Sequence, residues 1–89
     1  MKKIEIETVV RNIFYRCTQI EMFLEDFDVK EDIADVNLSS KNIVSIIADI
    51  EKTFRITFYD IDFVPSYLQT IHSISEYISH KVEEGRVPQ

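Results

Sequence analysis

Residues 37–54 read NLSSKNIVSIIADIEKTF, a segment that places two adjacent serines in front of an apolar run. Its apolar side chains recur at the three- and four-residue spacing of a helix with one buried face: Ile43, Ile46, Ile47, Ile50 and Phe54. Strict alternation, which would favour a strand, is absent, and polar residues fall on the opposite face. We therefore predict a helix from about Ser40 to Thr53.

Two further segments show the same helical spacing. The first is predicted over roughly residues 3–18, with an apolar face of Ile6, Val9, Val10, Ile13, Phe14 and Cys17. The second follows Thr70, a residue suited to a helix cap, and its apolar face comprises Ile71, Ile74, Ile78 and Val82. Because Pro65 is tolerated at a helix start, a short helical turn is expected over about residues 62–68.

The segment between the first two predicted helices is strongly acidic. Residues 21–35 hold seven carboxylates and a single basic residue, Lys30. Connections of this length in small domains are often functional. Interleaved apolar residues are expected to pin the segment to the core: Phe23, Leu24, Phe27, Val29 and Ile33.

These segments together predict an all-α fold. We expect a small three-to-four-helix bundle with a long loop between the first two helices. Residues 1–84 are predicted to form a single domain, and residues 85–89 a flexible C-terminal tail.

Composition narrows the classes of partner and location. The 89 residues include 16 acidic and 10 basic side chains, and the net charge of −6 repels nucleic acid and anionic membranes. No run of 18 apolar residues is present, and the opening MKKIEIETVV lacks the unbroken apolar core of a signal peptide. We therefore expect a cytoplasmic monomer that binds neither nucleic acid nor membrane and that meets basic protein partners.

Few residues suggest catalysis or metal binding. Cys17 is the one cysteine, which excludes an internal disulfide, and we interpret it as a small buried hydrophobe on the first helix. We interpret His72 and His80, both on the last helix, as ordinary surface residues. The acidic segment lacks the ligand spacing and central glycine of a helix-loop-helix calcium site. No catalytic or metal site is predicted, and an enzyme is not expected.

The adjacent serines have two physical interpretations. Serine is a preferred N-cap residue, and one hydroxyl suffices to accept a bond from a free backbone N–H. The other hydroxyl would face solvent at the helix N-terminus, where free N–H groups and the helix dipole stabilise a phosphate. The pair is therefore either a cap alone or a cap beside a modified serine.

The order and spacing of these features resemble the acyl carrier protein family, over nearly the whole chain from residue 4 to about residue 83. In that family a Leu-Asp-Ser-Leu motif opens the second helix, and its Ser bears a 4′-phosphopantetheine arm. The corresponding run here is DVNLSSKNIVSIIADIEKTF, in which Leu38 matches the first Leu and Ser40 the modified Ser. The ending EKTF fixes the same register. The resemblance thus implies 4′-phosphopantetheine on Ser40 rather than on Ser39.

Three residues depart from the family motif. Asn37 replaces the usual Gly, although Asn tolerates the left-handed backbone that Gly would supply. Ser39 replaces the Asp that helps the transferring enzyme position its metal and the Ser, and Lys41 replaces a Leu that packs against that enzyme. These departures leave two hypotheses for the function. The protein is either a carrier that is recognised by its own dedicated transferase, or an acyl-carrier-like protein-interaction module that is not phosphopantetheinylated.

The favoured interpretation implies a carrier with no catalysis of its own. An acyl or aminoacyl group would be held as a thioester on the arm, in fatty-acid, polyketide or specialised biosynthesis. The implied partners are a phosphopantetheinyl transferase and acyl- or aminoacyl-transferring enzymes. The family docks partners on the exposed face of the second helix, which here comprises Lys41, Val44, Ser45, Ala48, Glu51 and Lys52. The implied interior favours a short cargo, because it is lined by bulky residues: Val10, Phe14, Ile43, Ile47, Ile50, Phe54, Ile74 and Ile78.

Overall fold

Three α-helices make up most of the described chain. They run Lys3–Thr18 (α1), Ser40–Phe54 (α2) and Ile71–Arg86 (α3) in a computed structural model that describes residues 2–57 and 69–86. No strand occurs in these two ranges, and the all-α class is confirmed for them. The short helix expected over residues 62–68 lies outside the described residues. None of the described helices is both long enough and apolar enough to cross a membrane.

The helix boundaries follow the sequence signals closely. α1 has the predicted bounds, and α2 ends one residue later than predicted. The hydroxyl of Thr70 accepts a hydrogen bond from the N–H of Ser73 at 2.9 Å, which confirms the predicted cap of α3. α3 continues to Arg86, two residues into the predicted tail.

The core is formed by the apolar faces of all three helices. Val10 and Ile13 of α1, Ile50 of α2, and Ile71 and Ile78 of α3 are fully buried. Each lies at a position that the helical spacing assigns to the inner face. The periodicity of the sequence therefore determines which sides of the helices meet.

Aromatic residues attach the connection between α1 and α2 to this core. The ring of Phe23 lies 5.0 Å from that of Phe14 and 5.0 Å from that of Phe27, in tilted and edge-on arrangements. Such pairs contribute about 0.5–1.5 kcal/mol beyond the area they bury. Leu24 is 37% exposed, so its predicted role as an anchor is wrong. The core-facing side of this turn is occupied by the two phenylalanines.

Short helices and hydrogen bonds order the connection itself. It contains two 3-10 helices, Glu21–Phe23 and Ile33–Asp35, rather than one unbroken loop. The Arg11 guanidinium donates to the carbonyl of Phe23 at 3.0 Å. Near the other end, the carbonyl of Val29 accepts from the N–H of His72 at 2.8 Å, in the first turn of α3. The connection is thus tied to α1 and α3 before the chain enters α2.

Candidate attachment site at the start of α2

Ser39 is the N-cap of α2. Its hydroxyl accepts a hydrogen bond from the N–H of Asn42 at 3.1 Å and donates to the Asn42 side-chain oxygen at 3.0 Å. The same amide oxygen accepts from the N–H of Ser39 at 3.3 Å. These reciprocal bonds form a capping box in which Asn replaces the usual Glu or Gln. The hydroxyl of Ser39 therefore caps the N-terminus of α2.

Ser40 occupies the first helical position, and its side chain is exposed. The next side chain, Lys41, is also exposed, and the first turn of α2 contains no acidic residue. Asn37 does not adopt a left-handed backbone, because the positive-φ residues of the described ranges are Gln19 and Arg55. Both serines are exposed, and they differ in role: the Ser39 hydroxyl caps the helix through Asn42, whereas Ser40 occupies the first helical position beside Lys41.

Two side chains of α2 that sequence analysis missed fix this helix against α1. The Asn42 side-chain N–H donates to the carbonyl of Cys17 at 3.2 Å, close to the C-terminal end of α1. The Asp49 carboxylate lies 3.0 Å from the guanidinium of Arg16 and also accepts from Thr53 at 3.2 Å. The sequence carries one local signal, the capping-box spacing of Asn42. The contact of Asp49 with Arg16 spans 33 residues and has no local signal.

Cys17 is half-buried at this junction and not fully buried as predicted. Its sulfur lies 4.0 Å from a carboxylate oxygen of Asp49. Burial and the nearby carboxylate raise the pKa of the Cys17 thiol, against an opposing effect of Arg16. Since the thiolate is the nucleophilic form, this environment favours a structural role for the sulfur.

His72 lies at the surface, with its side chain 37% exposed near two carboxylates. Its Nδ1 lies 3.7 Å from Glu7 of α1, and its Nε2 lies 3.5 Å from Glu76. The sequence carries a local signal for the contact with Glu76, because Glu76 follows His72 by four residues, a spacing at which helix side chains meet. Glu76 also pairs with Lys3, which lowers the pKa of that carboxyl. His80 is exposed, and the described part of the chain contains no cluster of His, Cys, Asp and Glu suited to a metal ion.

The outer side of α2 carries the side chains predicted to meet partners. Val44 is 66% exposed, and Glu51 is half-buried. The remaining predicted residues are exposed: Lys41, Ser45, Ala48 and Lys52. Ile43 is 38% exposed, so it lies at the edge of the interior and not fully inside it as predicted. The reason is its position in the first turn of α2, where only part of the side chain reaches the core.

A small apolar pocket opens beside the start of α2. Its volume is about 50 Å³, and its lining comprises Phe14, Ile33, Leu38, Ile43, Ile46, Ile47 and Ile74. Leu38 and Ile43 come from either side of the adjacent serines in the sequence. Four of the predicted interior residues take part, whereas Val10, Ile50 and Ile78 are packed into the solid core.

Comparison with known proteins assigns no family to this geometry. No family model matches the chain, and no curated protein matches it. The features of the chain that bear on function are therefore the residues around Ser40, the surface of α2 and the adjacent pocket.

Proposed function

We propose that this protein is an acyl-carrier-type protein in which Ser40 bears 4′-phosphopantetheine. The observation that carries the proposal is the difference between the two serines. Both serines are exposed, but the Ser39 hydroxyl is bonded to Asn42 in the capping box of α2, whereas Ser40 occupies the first helical position. The hydroxyl of an attachment residue must be accessible to the transferring enzyme. The hydroxyl of an N-cap residue, in contrast, is bonded to a backbone N–H of the helix, as that of Ser39 is. The sequence order of helices and of the acidic connection supports the same family type.

The residues around Ser40 fit the chemistry of a phosphodiester. The N-terminus of α2 offers backbone N–H groups and the positive end of the helix dipole, which stabilises a nearby anion by about 0.3–1 kcal/mol at exposed sites. Lys41 adds an exposed cation next in sequence. When bound, the group supplies a thiol that carries an acyl or aminoacyl unit between enzymes. The chain itself holds the attachment point and presents it to a transferase and to acyl- or aminoacyl-transferring enzymes.

The pocket beside α2 supports a short cargo. A cavity of about 150 Å³ lined by Leu, Ile and Phe takes one benzene ring. The pocket here is about 50 Å³, a third of that volume. It therefore accommodates only a few carbon atoms unless the helices move apart. A longer acyl chain is expected to remain outside the core.

The departures at Ser39 and Lys41 lead to a prediction about the transferase. Asp is also a preferred N-cap residue, so Ser39→Asp keeps the cap while restoring the family's negative charge. Lys41→Leu removes the cation and restores the apolar side chain. We expect the double variant to be modified faster than the wild type by a broad-specificity transferase. An unchanged rate would contradict the proposed effect of these two residues.

Intact mass spectrometry tests the function itself. The purified chain is incubated with coenzyme A and each of several phosphopantetheinyl transferases. We expect a mass gain of one phosphopantetheinyl group in the wild type and none in Ser40→Ala. Ser39→Ala is the matched control, and it should still gain the group. Absence of any gain with every transferase and with native extract overturns the carrier proposal.

A second candidate is a protein-interaction module that keeps this fold without the arm. The observation that favours it is the exposed apolar side chain of Val44 among the polar residues of α2. On this proposal Ser40 is only the first residue of the helix. Binding of a partner to α2 would then be the whole function and would be retained in Ser40→Ala.

A further inference from the structure

The two adjacent serine hydroxyls are both exposed, but they differ in their hydrogen bonds. The Ser39 hydroxyl accepts from the backbone N–H of Asn42 at 3.1 Å and donates its proton to the Asn42 side-chain oxygen at 3.0 Å. Among the residues that the structure describes, none forms a hydrogen bond with the Ser40 hydroxyl. One hydroxyl is therefore held by the cap of α2, and the other is not.

A contact with α1 fixes the direction of the Asn42 amide. Its side-chain N–H donates to the carbonyl of Cys17 at 3.2 Å, in the last turn of α1, where carbonyls lack partners within the helix. Because the amide nitrogen is bonded to α1, the amide oxygen points to Ser39, from which it accepts two hydrogen bonds. Asn42 thus links the end of α1 to the cap of α2 and keeps the Ser39 hydroxyl in one orientation.

This orientation opposes reaction of the Ser39 hydroxyl with coenzyme A. In the transfer, a serine oxygen bonds to phosphorus while the phosphoanhydride bond of coenzyme A breaks. The adenosine bisphosphate half leaves, and the hydroxyl proton passes to a base of the transferase. In Ser39 the proton is directed at Asn42, and one of the two oxygen lone pairs accepts from a backbone N–H. Breaking one hydrogen bond of typical strength lowers the reactive population about fivefold.

We infer that Asn42 directs phosphopantetheine to Ser40 by withholding the hydroxyl of Ser39. The role rests on the carrier function proposed above and adds to it the residue that selects between the two serines. Asn42 is a positioning residue, since it acts on Ser39 and does not receive the group itself. Asp49 offers a matched control, because it also bonds to α1, through Arg16, but lies about 10 Å further along the axis of α2.

Gain of modification in chains without Ser40 tests this selection. Each variant is incubated with coenzyme A and a transferase that modifies the wild type, and fragmentation mass spectrometry locates the group. Ser40→Ala should gain none, whereas Ser40→Ala with Asn42→Ala should gain the group on Ser39, at least about fivefold above the signal of Ser40→Ala. Ser40→Ala with Asp49→Asn loses a contact with α1 but keeps Asn42, so it should gain none. Ser40→Ala with Asn42→Asp keeps an oxygen that accepts from Ser39, and it should also gain none.

Two results would overturn the role of Asn42 while leaving the carrier function intact. In one, the wild type is modified on Ser40, but Ser39 stays unmodified when Asn42 is replaced by Ala. In the other, the Asp49→Asn control gains the group on Ser39 as readily as the Asn42→Ala variant does. If no transferase modifies the wild type, the carrier proposal fails and the selective role fails with it.

The rotamer of Ser39 provides a second measurement, which needs no transferase. Three-bond couplings of the Ser39 β-protons, measured by NMR on the unmodified full chain, should report one rotamer in the wild type and averaging in Asn42→Ala. Those of Ser40 should be averaged in both proteins. Averaged couplings for Ser39 in the wild type would overturn the role of Asn42, because the hydroxyl would then not be held.

Discussion

Removal of the α2 cap gives a stability prediction that separates the two serines. Ser39→Ala removes the hydroxyl that accepts from the N–H of Asn42 and donates to its side chain. Loss of a Ser cap costs about 1 kcal/mol, within a range of about 0.5–2. For a domain of this size that is a fall in Tm of about 4–8 °C. Ser40→Ala should change stability by less than about 0.5 kcal/mol, because its side chain is exposed and Ala is the better helix former.

Asn42→Ala should cost more than Ser39→Ala. It removes the Asn42 side-chain bonds of the capping box, although not the bond from its backbone N–H to Ser39, and also the bond from the Asn42 side chain to the carbonyl of Cys17, which is part-buried. A typical hydrogen bond adds about 1 kcal/mol, so the total loss is about 2 kcal/mol. Ser39→Asp is the control that keeps a capping oxygen, and it should stay close to the wild type.

Urea unfolding followed by circular dichroism measures all four variants. The analysis assumes a two-state transition, which most single domains of this size satisfy. We expect the free energies of unfolding of Ser40→Ala and Ser39→Asp to be close to that of the wild type. That of Ser39→Ala should be lower, and that of Asn42→Ala the lowest. If Ser40→Ala lowers the free energy of unfolding as much as Ser39→Ala does, the assignment of Ser39 as the N-cap and of Ser40 as the first helical residue is refuted.

Three further predictions concern other polar groups. No described residue hydrogen-bonds the buried Ser75 hydroxyl, so Ser75→Ala should stabilise the protein by about 1 kcal/mol in the same urea assay, and destabilisation would contradict this. Asp49→Asn should lower the pKa of the Cys17 thiol, seen as faster alkylation at a given pH, because the carboxylate helps to raise that pKa. Lys3→Ala should return the pKa of Glu76 toward its ordinary value in an NMR titration. Since pairing lowers that pKa in the folded state, the stabilisation is present above the unfolded-state pKa and is lost as pH falls through the folded-state pKa.

Local pattern was sufficient to predict the three described helices. The three- and four-residue spacing placed α1 at its observed bounds, and Thr70 marked the start of α3. Both signals act within a few residues along the chain, which is why a sequence shows them. Exposure at the edges of the core was harder to predict. Ile43 and Leu24 fit an apolar pattern, yet they are 38% and 37% exposed, because a residue at the edge of the core turns only part of its side chain inward.

The contacts that position α2 depend on tertiary structure. Asp49 meets Arg16 because α1 and α2 pack together, and no pattern within either helix specifies that pair. Asn42 illustrates a mixed case: its place in the capping box is a local signal, but its bond to Cys17 of α1 is not. The identity of the cap residue was also open in the sequence, since both serines suit that role. The structure separates them by hydrogen bonding.

Fragmentation mass spectrometry of the transferase-treated wild type tests the central claim most directly, because it locates the added group on one residue. The chain is incubated with coenzyme A and the transferases, digested, and the peptide that contains Ser39 and Ser40 is sequenced in the spectrometer. We predict that one phosphopantetheinyl group is found on Ser40 and none on Ser39. An unmodified peptide under every condition, or the group located on Ser39, would contradict the proposal.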